Sequence, residues 1–115
     1  MNLVVLRGNL GADAEVKQGE GCVIVTFRLA VTERGFKTKD GRDVPERTDW
    51  FNIVVYAGLG TKLGDHLKRG TNVLIRGKLR EHQYPDNTGM TRTLTQVIVE
   101  GKDVELIGQP KGFVG

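Results

Sequence analysis

Cysteine, proline and aromatic residues are all scarce in this 115-residue chain. The single cysteine, Cys22, rules out an internal disulfide and makes a reducing, cytoplasmic setting the simpler expectation. At the start of a strand-like run it reads as a small packing residue rather than a nucleophile. With one cysteine and two isolated histidines, His66 and His82, no zinc-ligand spacing exists. The longest apolar runs are about four or five residues, too short to span a membrane as a helix. Nor does the N-terminus carry a basic segment followed by an apolar core and a cleavage site. Neither sign of charge dominates: 17 basic against 14 acidic residues leave +3, which permits a polyanionic partner without requiring one. The three prolines stand beside 16 glycines, a balance that suits a β-rich chain with many tight turns. The length fits one domain with its own core.

Hydrophobic alternation then places the strands. Residues 2–8 are a short β-branched run ended by Gly8 and Gly11. Residues 9–21 carry turn chemistry. In residues 22–33, Val23, Val25, Phe27, Leu29 and Val31 share one face, while Ile24, Thr26, Arg28 and Ala30 share the other. A polar excursion follows over 34–47, turning at Asp40-Gly41. Residues 48–57 resume the strand period. Residues 58–70 break it, with Leu59, Leu63 and Leu67 spaced for one side of a short helix and Gly70 placed to end it. Strand returns over 71–84, turns at 85–90, and ends in 91–100 and 103–107 with a bend at Gly101. Residues 1–107 thus form the domain and 108–115 a short tail. The order β, β, β, short helix, β, β with two long hairpins predicts an all-β five-stranded OB barrel. A small open sheet with one helix has the same element count.

Three features carry chemistry. On residues 48–57, Phe51, Ile53 and Val55 make one uniformly apolar face, and Trp50, Asn52, Val54 and Tyr56 make the other. Burial would draw Trp50 and Tyr56 inward, but Asn52 beside them is costly to bury unpaired. The core therefore takes Phe51, Ile53 and Val55, leaving Trp50 and Tyr56 on an open face, where aromatics serve as stacking platforms for bases. On residues 71–84, Arg76, Lys78 and Arg80 follow one another on one face, which ends in His82 and Tyr84. Cations with a terminal ring suit a phosphate-tracking groove, although alternating charge is more often a plain solvated face. The first excursion adds Arg34, Phe36 and Lys37, its charge diluted by acidic neighbours. Enzyme chemistry finds no support: GLGTKLG is neither a GxGxxG nor a P-loop, and no carboxylate pair or cofactor signature stands out.

At this point the chain resembles the bacterial single-stranded DNA-binding proteins over residues 1–107. The segments that carry the likeness are MNLVVLRGNLGADAEV, VTFRLAVTER, ERTDWFNIVVYAGLG, LKRGTNVLIRGKLR and TLTQVIVEGKDVELIG. The resemblance implies an OB fold and a homo-oligomer, usually a tetramer, with a dimer as the alternative. It also implies single-stranded DNA as the partner, bound without sequence preference and protected during replication, recombination and repair. By position it makes Trp50, Tyr56, Tyr84 and Phe36 stacking residues. It sets Arg34, Arg76 and Arg80 in regions used for the DNA backbone, and Arg28, Lys37 and Lys78 are added on their neighbouring positions. Phe51 departs from the family pattern, standing where well-known members carry a polar residue near a subunit interface. Gly35-Phe36 replaces a Trp-bearing stretch. The chain ends at QPKGFVG without the family's acidic tip, so recruitment of replication and repair enzymes through such a tip is not expected. Either such a tail has been removed from this chain, or the chain is a naturally short member, such as a phage- or plasmid-encoded one or a specialised paralogue. Two other readings use the same fold: a protein–protein adaptor anchored by Trp50 and Phe36, and an RNA-binding OB domain.

Overall fold

In the computed structural model, which describes residues 1–108, the alternating runs become strands that close a ring. The strands are β1 (Val4–Leu10), β2 (Glu15–Gln18), β3 (Val23–Glu33), β4 (Phe36–Lys37), β5 (Asp43–Val44), β6 (Arg47–Ala57), β7 (Asn72–Pro85) and β8 (Thr91–Gly108). The single helix α1 (Leu63–His66) lies between β6 and β7. The main sheet runs β1-β7-β8-β6-β3-β2, and a further pairing of β1 with β3 closes it. All main-sheet pairs are antiparallel except β6 with β8, which run parallel. A closed five-strand ring with that one parallel pair and a short helix after its third strand is the OB architecture. The short strands β4 and β5 form a separate ribbon within the first hairpin.

Period two decides which residues fill the ring. Val23, Val25, Phe27 and Leu29 of β3 are buried, as are Ile53 and Val55 of β6, Val73 and Ile75 of β7, and Val97 and Val99 of β8. Phe51 is half-buried and packs against this core. The face assignment of β3 and β6 read from alternation therefore holds. Val54 differs: it points away from the core cluster and is nonetheless buried on the outer face.

Three local expectations are corrected. The first strand begins and ends two residues later than 2–8. The turn read over 9–21 contains β2, an edge strand that pairs with the first part of β3. The helix read over 58–70 shrinks to one turn. Gly60 takes a left-handed φ of 83° in the turn before it, and Leu59 is left exposed, while Leu67 is fully buried. Gly70 does adopt a left-handed φ of 85°, but in the Lys68–Thr71 turn rather than at the helix end. Backbone bonds tie this segment to the β1–β2 connection: Ala14 donates to the Leu67 carbonyl, and the Arg69 amide donates to Asp13 Oδ1 at 2.8 Å. Gly64 allows the contact, because a Cβ there would run into Val16 of β2. The last segment is one strand, β8, whose register against β7 slips between Ile75 and Gly77. Gly101 lies in that slip, close against Ala57. The tail read at 108–115 lies, beyond Gly108, outside the described residues.

Candidate nucleic-acid interface

Register builds the outer face row by row. Ile24 of β3, Tyr56 of β6 and Glu100 of β8 stand side by side. The next row is Thr26, Val54, Ile98 and Lys78, and the next is Arg28, Asn52, Gln96 and Arg80. Ala30 pairs with Trp50, and Leu94 with His82, at the far end. Paired residues in a sheet project to the same side, so β3, β6, β8 and β7 present one continuous surface.

Trp50 is 47% exposed on this surface and Tyr56 42%. The Arg28 guanidinium lies over the Trp50 ring, 5.1 Å from its centroid, within cation–π range. The ring also lies against Gly11, where a Cβ would come 2.5 Å from Cζ3. Gly11, Arg28, Trp50, Asn52, Leu94 and Gln96 line one groove. Asn52 is half-buried and donates from Nδ2 to the Thr95 carbonyl at 3.4 Å. Tyr56 borders a second groove with Arg76, Lys78, Arg80, Glu100 and Lys102. All three basic residues of β7 are exposed and make no ion pair within the described residues.

The hairpins hold the remaining sequence-derived residues apart from these grooves. Tyr84, 40% exposed, sits on the β7–β8 arm opposite Arg92 and stacks on His82 with ring centroids 6.4 Å apart. Phe36 is 61% exposed in the β4–β5 ribbon, opposite Val44. Arg34 is exposed between β3 and β4, and Lys37 lies 3.8 Å from Asp43. Both hairpin tips are organised by an aspartate. Asp86 accepts from the Thr88 amide and hydroxyl, the Met90 amide and Arg92 Nε, and its pKa falls to about 2, the Thr88 hydroxyl contributing most and Arg92 next. Asp40 accepts from Thr38 and Arg42, which likewise lower its pKa.

Residues 1–107 match the single-strand binding protein family. The chain belongs to that family. Single-stranded DNA-binding protein of Bacteroides thetaiotaomicron is 36% identical over 113 residues, 97% of this chain and 68% of the relative. Single-stranded DNA-binding protein 1 of Xylella fastidiosa is 32% identical over 110 residues, 95% of this chain and 79% of the relative. Among solved structures, the Plasmodium falciparum SSB complex with ssDNA aligns with a TM-score of 0.75 at 28% identity, covering 93% of each chain. No helix among the described residues is long and apolar enough to cross a membrane.

Within this single-strand binding protein fold, sequence reasoning missed Gly11, Leu94, Gln96 and Glu100. Alternation along β8 does put Leu94, Gln96, Ile98 and Glu100 on one face. Nothing local says that the strand lies parallel to β6 and in register with it. The same gap hides the acidic side of the groove: β7 itself has no acidic residue on its basic face, and Glu100 and Asp103 reach the groove from β8.

Proposed function

We propose that this protein binds and protects single-stranded DNA without strong sequence preference, in replication, recombination and repair. Residues 1–107 are the binding unit. Bases stack on Trp50 and Tyr56, and the strand extends to Tyr84 and Phe36 on the hairpins. Arg28, Arg76, Lys78 and Arg80 meet the phosphates, with Arg34 and Lys37 on the first hairpin. The observation that carries this reading is the joint placement of two exposed aromatics and unpaired cations on one outer face. Supporting it, the chain's overall fold is similar to that of a protein solved with ssDNA. Every base has a π face, so stacking is sequence-tolerant, and the cations follow a backbone common to all sequences. Such binding involves no covalent step and calls for no cofactor. The working form is a homo-oligomer, a tetramer by family likeness, in the cytoplasm.

Trp50 is the only tryptophan, so its fluorescence reports on the platform directly. Titration with oligo-dT should quench it as an indole stacks against a base, and light scattering of the protein before DNA is added should give a multiple of the 12.7 kDa protomer. Saturating DNA that leaves the emission unchanged would remove Trp50 from the interface. Partner-protein binding in the absence of DNA affinity would favour an adaptor instead.

A further inference from the structure

One side chain on the outer face is not explained by phosphate binding. Glu100 is in register with Tyr56 on the adjoining parallel strand, so both side chains rise from the same side of the sheet. It lines both grooves that meet at Tyr56, one with Arg76, Lys78 and Arg80, the other with Lys62 and His66. Its carboxylate lies 3.3 Å from Lys102 Nζ, and both side chains are largely exposed. An exposed pair of this kind adds little stability. A negative charge beside a phosphate track opposes the backbone that the cations attract. Beside a stacking ring, however, a carboxylate meets the edge of the base that lies on the ring, and it can only accept hydrogen bonds. Cytosine presents an amino donor at C4, and adenine one at C6; thymine and uracil present a carbonyl oxygen at C4.

Resting on the ssDNA reading above, we propose that Glu100 sets base preference at the Tyr56 platform. It accepts a hydrogen bond from the exocyclic amino group of the stacked base and disfavours thymine and uracil at that one position. Lys102 holds the carboxylate, while Arg76, Lys78 and Arg80 remain for the phosphates on β7, the strand beyond Glu100 from Tyr56. The preference is local to one base among those bound, so the protein as a whole stays sequence-tolerant.

Oligo-dC and oligo-dU of equal length share sugar, phosphate and ring, and differ on the edge that Glu100 reads. Cytosine has an amino donor at C4 beside an acceptor N3, uracil a C4 carbonyl beside an N3–H donor. A carboxylate on the C4 group therefore favours dC, and one on N3–H would favour dU and overturn the assignment. Affinities are read by anisotropy of labelled oligomers. Replacing Glu100 with Met should lower the dC-over-dU preference about fivefold, the loss of one net hydrogen bond. In a Tyr56→Ala background the same replacement should leave the ratio unchanged, because no base is then held beside the carboxylate. An equal change for both oligomers on Glu100→Met, or an unchanged ratio, overturns the assignment and leaves ssDNA binding standing. A wild-type protein that binds neither oligomer overturns the ssDNA reading itself, and this inference with it.

Discussion

Trp50 is held from two sides by residues of opposite character. Gly11 offers bare backbone to the ring edge, and Arg28 offers a cation above it. A base that stacks on Trp50 must share or displace the Arg28 guanidinium, which is then free to reach the neighbouring phosphate. Arg28 therefore covers an exposed indole in the free protein, and on the proposed ssDNA reading it turns to the backbone when a base takes its place. Two substitutions follow from this arrangement. Trp50→Ala should weaken oligo-dT binding by about 1–3 kcal/mol, the worth of a stacked base. Gly11→Ala should push the ring off its seat, since the new methyl would lie within 2.8 Å of Cη2 as well. It should lower DNA affinity and change Trp50 emission while thermal unfolding stays near that of wild type, because Gly11 is exposed and outside the core. An unfolded Gly11→Ala protein would mean that the contact is structural first.

At the scale of elements, the ring is closed by strands that come unusually near one another. Gly77 of β7 shows why its position tolerates no side chain. A Cβ there would collide with the Ile98 carbonyl oxygen and sit 2.9 Å from Val99 Cγ2. Gly77→Ala must push β7 off β8 where the register slips, and overpacking of this kind costs about 1–3 kcal/mol, readable as a lowered denaturation midpoint. The β7–β8 tip answers to pH instead. The folded pKa of Asp86, about 2, lies below its ordinary value of 3.8. The carboxylate's contribution is therefore complete above the ordinary value and is lost as the pH falls through about 2. Protection of the Thr88 and Met90 amides, whose N–H groups donate to Asp86, should fall relative to the intrinsic exchange rate over that interval and should already be lost in Asp86→Ala at neutral pH. Faces were legible in the sequence because alternation reports them directly: Ile53 and Val55 inward, Trp50 and Tyr56 outward. Strand β2 was not, because EVKQ is exposed throughout and carries no period to read. The helix was overread because leucine spacing alone does not register the left-handed turn at Gly60.

At the scale of the whole molecule, a net charge of +3 says little, because the charges that matter are sorted by position. Four hairpin cations are engaged: Lys37 with Asp43, Arg42 with Asp40, Arg47 with Asp49, and Arg92 with Asp86. Outer-face cations are not: among the described residues, Arg28, Arg76, Lys78 and Arg80 make no ion pair, and neither does Arg34 at the base of the first hairpin. This sorting was only half visible in the chain, since β7 shows its basic run openly while the acidic partners of the hairpins depend on turn geometry. It sets the salt dependence of binding. Each phosphate neutralised on a single strand contributes about −0.7 to the slope of log affinity against log salt. If the unpaired cations named here each take one phosphate and the hairpin pairs stay closed, the slope per protomer is roughly −3.5, and it is roughly −4 once Lys37 leaves Asp43 for a phosphate. Charge-removing substitutions should then act unequally. Lys78→Gln should flatten the slope by about 0.7, while Arg42→Gln should leave it unchanged because that guanidinium is already bound by Asp40. A slope well beyond this range would mean that DNA opens the hairpin ion pairs and recruits their arginines. Equal flattening by Lys78→Gln and Arg42→Gln would show that the outer face holds no privileged share of the phosphate contacts.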